Sequence, residues 1–233
     1  MKVSYLVTCS TETDTLDRLL DVLFSILDKK VLDKNNEIVI IEDKDTSNPA
    51  TVDIIMKMFD VYSASYYTHS LNNNYGEHKN FGIQKCRGDF IFQIDGDEMP
   101  PETLIGENLQ ALLESNPTVE AYAVPRINAW HGLTEEHAKQ WGWPLSMSPT
   151  YNRPRAAWPD YQWRIFRNDY PRISFKKRLH ERIEGYNNYV ILPADENYAL
   201  YHDKTIETQI ATNLRYNKMF TEAENRGISD KKQ

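Results

Sequence analysis

Asp95, Asp97 and Glu98 put three carboxylates within four positions, at the end of the apolar run 90–94. Like charges packed that closely repel unless a cation or solvent relieves them. Asp95 and Asp97 have equal parity, so a continuing strand sends both to one face. Hard oxygens at a strand's carboxyl end suit Mg²⁺ or Mn²⁺, and in open α/β sheets that end is where ligands bind. The same residues also read as a solvated turn that caps the next helix, the commoner origin of an isolated Asp-x-Asp. A helix-loop-helix calcium site is excluded, because the position that must be Gly is Pro100 and the one that must be Glu is Gly106.

Other candidates each carry a plainer reading beside the chemical one. Asp43 lies in the acidic run Glu42-Asp43-Lys44-Asp45 after a second apolar stretch and could simply end a strand. Lys79 alone reads as a solvated helix charge. Glu181, flanked by Arg178 and Arg182, reads as a surface salt bridge. His202 closes a late apolar stretch, where imidazole could bind a divalent ion or be structural. All five tryptophans, Trp130, Trp141, Trp143, Trp158 and Trp163, fall within residues 126–165. Aromatic faces stack on sugar rings or bases, and at least half of these are expected to cover the sheet as core.

Alternating elements must position these groups. Residues 3–8 read as a strand, followed by a helix with Leu16, Leu19, Leu20, Leu23, Phe24 and Leu27 on one stripe. A strand at 37–41, a helix carrying Val52, Ile55, Met56 and Phe59, and a strand at 65–69 follow. Asn72-Asn73-Asn74-Tyr75-Gly76 marks a loop. A helix then runs to about Cys86, before the central strand 90–94. Pro100-Pro101-Glu102 starts a helix that ends at Asn116-Pro117, and 120–125 is a strand. The pattern predicts an α/β fold, a Rossmann-like, mostly parallel central sheet flanked by helices. In 126–165 the prolines 144, 149, 154 and 159 break regular structure, so this stretch is expected to be an aromatic-rich lid or small subdomain. Strands at 161–168 and 198–203 return to the core. A final helix carries Ile206, Ile210, Leu214, Met219, Phe220 and Ala223, with Gly227 as its stop and 229–233 as a frayed tail.

The order Asn72-x-x-x-Gly76-x-x-Lys79-Asn80-x-Gly82-Ile83, then Gly88-Asp89-Phe90-Ile91-Phe92-Gln93-Ile94-Asp95-Gly96-Asp97-Glu98, resembles family 2 glycosyltransferases of the GT-A fold. It covers residues 1 to about 125. It departs from the family at Glu42-Asp43-Lys44-Asp45, where Asp-Asp-Gly-Ser is common, and at Lys79, where Arg is commoner. The resemblance implies residues 1–125 as a nucleotide-sugar-binding half, 126–203 as the acceptor half of the same domain, and 204–233 as a C-terminal helix and tail. It further implies a nucleotide-sugar donor, usually a UDP-sugar, and Mn²⁺ or Mg²⁺. Asp97 would be the main metal ligand, with Asp95 holding ribose or metal and His202 near metal or pyrophosphate. Thr8, Asp43, Gly76, Lys79, Asn80 and Gly96 would join Asp95 around the nucleotide-sugar.

Gln162-x-Arg164-Ile165-Phe166-Arg167, followed by Leu179-His180-Glu181, is similar to a narrower subset, the lipopolysaccharide-core glucosyltransferases. It implies an inverting transfer in which a carboxylate takes the acceptor proton. Glu181 is the first choice of base and Asp160 the second, with Trp130, Trp158, Arg164 and His180 on the acceptor side. The acceptor expected is a glycan, a lipid-linked sugar or another hydroxyl. Nucleic acid is disfavoured by a net charge of −7 over 233 residues.

Hydrophobic content of 40% suffices for a core, and Cys9 and Cys86 make neither a disulfide framework nor a zinc spacing. A reducing cytoplasm is the expected setting, with no signal peptide or membrane span. There is no G-x-G-x-x-G after the first strand and no P-loop, so dinucleotide oxidoreductases and P-loop enzymes fit poorly. A nucleotidyltransferase is an alternative, though the Gly-rich phosphate loop it normally carries is missing from Cys9-Ser10-Thr11-Glu12. A non-catalytic nucleotide- or glycan-binding module is the other.

Overall fold

β1 (Val3–Cys9) is a run of seven buried residues, the pattern of a strand covered on both faces. Its side chains divide by parity. Val3, Tyr5 and Val7 join one core with Leu16, Leu19, Leu20, Leu23 and Phe24 of α1 (Asp14–Asp28), and Leu6 joins the opposite core. The structure, a computed structural model, describes residues 1–28, 36–59, 64–221 and 224. β2 (Glu37–Asp43), α2 (Pro49–Phe59), β3 (Ser65–His69), α3 (Tyr75–Ile83) and β4 (Phe90–Asp95) complete a parallel half in the order β3-β2-β1-β4. Leu27 and Phe59, expected on the apolar stripes of α1 and α2, have side chains outside the described residues. Met56, expected on the α2 stripe, is instead 43% exposed.

The chain continues through β5 (Glu98–Met99), α4 (Gly106–Ser115), β6 (Ala121–His131), α5 (Glu135–Trp141), β7 (Leu145–Ser148) and β8 (Arg153–Arg167). It ends through β9 (Ser174–Lys176), β10 (Arg182–Glu184), β11 (Tyr189–Ile191), β12 (Leu200–Thr205) and α6 (Ile206–Met219). β8 enters antiparallel between β4 and β6, and the main sheet runs β3-β2-β1-β4-β8-β6-β12-β5, with β7 beside β8 and β11 beside β6. β12 is parallel to β6 and antiparallel to β5. β9 and β10 form a separate antiparallel pair whose Phe175 and Ile183 join the core on the α3 side. No helix among the described residues is long and apolar enough to cross a membrane.

Several local expectations are corrected. The strand expected at 120–125 extends to His131, and the proline-rich stretch is largely regular, because Pro154 and Pro159 both lie in β8. The β6–β8 register slips between Arg126 and Asn128, opposite residues 156–160. Pro159 therefore sits where a missing N–H removes no ladder bond. The loop expected at 72–76 is shorter, because Asn74 caps α3 and accepts the Glu77 N–H at 3.1 Å. The central strand stops at Asp95, and the helix expected at Pro100-Pro101-Glu102 is a single 3₁₀ turn before α4. Ile210 and Leu214 of α6 are 38% and 57% exposed, not buried as the stripe suggested. Thr208, Gln209 and Thr212 of that helix line a polar cleft, while of Ile206, Ile210 and Leu214 only Ile206 packs inward, against Trp130 and Leu133. Ala223, Gly227 and the tail 229–233 lie outside the described residues.

Asn80 ties α3 to the small sheet. Its Nδ2 donates to the Phe175 carbonyl at 2.9 Å and its Oδ1 accepts the Phe175 N–H at 2.8 Å. Asn80→Ala should leave two backbone groups unpaired and cost about 1–3 kcal/mol, read as a fall in C_m at unchanged m-value in urea unfolding.

Candidate active site

Asp95 ends β4 on the side facing α3. Lys79 approaches its Oδ1 at 3.0 Å, and Arg164 donates to its Oδ2 at 2.5 Å. Thr8 Oγ1 and Gln93 Nε2 donate to Oδ1 at 2.9 and 2.8 Å. Burial works to raise the Asp95 carboxyl, but the Arg164 and Lys79 charges win and hold it well below the usual carboxylate range. Glu98, fully buried, accepts from Arg126 at 3.0 Å and Arg164 at 2.5 Å. Arg164 reaches both acids because it is the extra residue of a β-bulge: Ile165 pairs with Tyr122 and Trp163 with Ala123.

Asp97 turns the other way, with its Oδ2 lying 3.1 Å from His202 Nε2. Burial opposes its ionisation, yet the His202 charge and hydrogen bond hold it at about 2. The ring of His202 is oriented from behind. Asn128 donates from Nδ2 to Asp160 Oδ2 at 2.9 Å, so its Oδ1 is left to accept from His202 Nδ1 at 2.8 Å. That network fixes a proton on Nδ1 and turns Nε2 toward Asp97, as an N–H donor when the ring is charged and as a lone pair when it is neutral. At 3.1 Å the Nε2 and the carboxylate oxygen share either a proton or a metal ion between them. A carboxylate and an imidazole so held, each backed by an outer partner, fit a divalent cation. Among the described residues no three His, Cys, Asp or Glu side chains gather closely enough to hold a metal alone. Asp97 and His202 would hold it only together with oxygens from a ligand, as Mg²⁺ sites commonly do with phosphates.

These groups floor a cleft of about 1160 Å³. Glu181, in the turn before β10, pairs with Lys79 at 2.7 Å, so one lysine joins the strand-tip acid to the candidate base. Asp160 is held by Arg126 at 2.7 Å and Gln162 at 2.8 Å. Burial resists ionisation there too, but Arg126 and these hydrogen bonds keep its carboxyl low. Asp43, which also lines the cleft, accepts from the Leu71 N–H at 3.0 Å and from Thr46 Oγ1 at 2.6 Å. Thr8, Gly96, Trp130, Arg164 and His180 also line it. Gly76, Asn80 and Trp158 do not. Trp158 stacks under Arg155 at 4.2 Å, over Ile127 and Ala129. At Gly76 a Cβ would stand 2.3 Å from the Lys177 carbonyl oxygen, so its role on view is to let the segment bearing Glu181 dock on α3.

A model for "Glycosyl transferase family 2" matches residues 4–180. The chain belongs to that family. Among solved structures, S. aureus TarS 1-349 in complex with UDP-GlcNAc aligns at 17% identity over 88% of this chain and 59% of its own, with a TM-score of 0.55. S. aureus TarS aligns over 97% of this chain and 41% of its own, at 17% identity and a TM-score of 0.57. The mannosyltransferase PcManGT from Pyrobaculum calidifontis, with GDP-Man and Mn²⁺, gives 13% identity, 85% and 56% coverage, and 0.53. The chain thus spans 41–59% of the length of these three. No curated protein sequence matches it. The matches establish the family and the GT-A fold. The narrower likeness to lipopolysaccharide-core glucosyltransferases rests on residues 160–185 alone.

Several cleft residues carry no motif and escaped the sequence reading. Arg126 and Asn128 are visible only once β6 is known to extend past Pro125. Glu12 lies beside the acids, and burial together with Asp97 pushes its carboxyl up. Lys204 lies on β12, its ammonium lowered to about 8 by burial. Because Asp95, Asp97 and Asp160 titrate below their ordinary values, the unfolded chain binds more protons than the folded one in acid. Their contribution to stability is full above about pH 4 and is lost as pH falls toward about 2, the folded value of Asp97. Urea midpoints measured between pH 5 and 2 should fall steeply in that window, and less steeply in Asp160→Asn.

Proposed function

We propose that this chain transfers a sugar, with inversion, from a UDP-sugar to an acceptor hydroxyl in the presence of Mn²⁺ or Mg²⁺. The observation that carries this is the Asp97–His202 pair at the tip of the sheet, in the same cleft as Glu181 and Lys79. The UDP-GlcNAc of TarS and the GDP-Man and Mn²⁺ of PcManGT support a nucleotide-sugar donor.

Asp43, on the cleft lining, is the proposed partner of the nucleobase. Thr8, Gly96 and Lys79 border the nucleotide and sugar. Asp97 Oδ2 and His202 Nε2 would hold the metal ion, whose charge, when bound, offsets that growing on the departing diphosphate. Asp95, with its oxygens taken by Lys79, Arg164, Thr8 and Gln93, positions Lys79 rather than binding the ion. Glu181 receives the acceptor proton as the hydroxyl attacks the anomeric carbon, and Lys79 fixes the carboxylate at the cleft wall. Asp160 orients His202 through Asn128. Of the residues expected on the acceptor side, His180 lines the cleft with Glu181 and is kept there. Arg164 is instead committed to Asp95 and Glu98, and Trp130 packs on His202 and Lys204. A glycan or lipid-linked sugar is the proposed acceptor.

Isothermal titration of UDP with Mn²⁺ should detect binding in the wild-type protein and in Glu181→Gln, and none in Asp97→Ala. Release of pyrophosphate from a nucleoside triphosphate, with no sugar transferred, would move the reading to a nucleotidyltransferase. Binding without turnover on any nucleotide sugar would leave a binding module. Gly76→Ala should displace Glu181 and cut turnover by roughly 10²-fold at unchanged UDP affinity. Equal turnover in that variant would separate the Glu181 segment from catalysis.

A further inference from the structure

Four basic side chains stand at the cleft floor and its adjoining wall. Three are spoken for: Lys79 by Asp95 and Glu181, Arg126 by Glu98 and Asp160, and Arg164 by Asp95 and Glu98. The fourth, Lys204, lines the same cleft and makes no ion pair with a described carboxylate. Arg182 and Arg215 also line it, but from exposed positions on β10 and α6. Lys204 is partly buried, and its Nζ rests 5.0 Å from the Trp130 ring centroid. A desolvated ammonium over an indole face is held in place by the ring quadrupole, which fixes its direction while leaving its N–H donors uncommitted to any carboxylate.

Position gives those donors a target. β12 runs parallel to β6 with His202 opposite Asn128 and Lys204 opposite Trp130. Residues two apart on a strand share a face and stand about 6.6 Å apart. Lys204 therefore follows His202 along the wall, and both line the cleft together with Asp97. A ligand phosphate completing the Asp97–His202 pair would bring the next phosphate of a diphosphate within reach of this ammonium. The surrounding floor is acidic, with Glu12, Asp95 and Asp97 together, so a dianionic group gains little from it without an added cation.

Resting on the donor reading above, we infer that Lys204 is a diphosphate-binding residue, which grips the donor beyond its first phosphate and stabilises the leaving group. In that place Lys204 would supply a cation of the chain to the bond that breaks. The sugar–oxygen bond gives up its electron pair to the departing nucleoside diphosphate, and the ammonium of Lys204 faces the charge that collects there.

The test compares UDP and UMP binding by isothermal titration, with Mn²⁺ and without, in wild type, Lys204→Met and Lys204→Arg. Methionine keeps much of the stem that packs on Trp130 and removes the charge. The expected result is a loss of about tenfold or more in UDP affinity for Lys204→Met, the size of one charge-assisted hydrogen bond. UMP affinity should be unchanged in the same variant, and much of the UDP preference should return in Lys204→Arg. UMP serves as the internal control for a folded site. An unchanged UDP-to-UMP ratio in Lys204→Met, or an equal loss of both ligands, overturns the inference and leaves the donor reading standing. Failure of wild type to bind UDP overturns both.

Discussion

Asp95, Asp97 and Glu98 cannot share one strand tip uncompensated, and much of this molecule is arranged around that fact. Buried carboxylates need charges and hydrogen bonds supplied from elsewhere in the chain. Arg164 comes from β8, Lys79 from α3, Arg126 from β6 and His202 from β12. Four elements far apart in sequence are thereby held to one point. The compensation is uneven, and the unevenness carries the chemistry. Asp95 and Glu98 are engaged by guanidinium and ammonium groups, whereas Asp97 pairs, among the described residues, with an imidazole whose other nitrogen is already committed.

The change in strand direction after β4 makes this possible. A purely parallel sheet would put a helix between each pair of neighbouring strands and keep their carboxyl ends aligned. β8 instead runs back between β4 and β6, so its middle passes the tip of β4, and its bulge turns Arg164 onto Asp95 and Glu98. The longer β6 then carries Arg126, Asn128 and Trp130 along the cleft, and β12 lies in register beside them. The tie between Asn80 and Phe175 and the close approach at Gly76 fix the segment that presents Glu181. One face of the site is thus set by sheet register and the other by how a short two-stranded sheet docks on α3.

The parallel half was legible from residues alone, because buried strands and apolar helical stripes have strong periods. The acids at 95 and 97, Lys79, Glu181 and His202 were also visible, and all of them line one cleft. What could not be read was pairing across the sheet. Nothing in the local sequence says that Asn128 stands opposite His202, or that Arg164 is the extra residue in a bulge. Prolines 154 and 159 argued against strand, since composition does not show that Pro159 falls where a register slip makes its missing N–H harmless. Gly76 and Asn80 stood in the right motif, yet their contacts on view are to backbone of the Glu181-bearing region. The polar cleft-lining residues of α6 ran against the usual meaning of an apolar stripe at Ile210 and Leu214.

The central claim is that the charge balance leaves Asp97 and His202, and not Asp95, to receive a divalent ion together with a ligand diphosphate. Anomalous diffraction from crystals grown with Mn²⁺ and UDP tests it most directly. The account predicts one manganese peak bonded to Asp97 Oδ2 and His202 Nε2, with Asp95 still held by Lys79 and Arg164. A manganese ion bonded to Asp95 with His202 turned away, or UDP seated in the cleft at saturating Mn²⁺ with no metal beside Asp97, would contradict it.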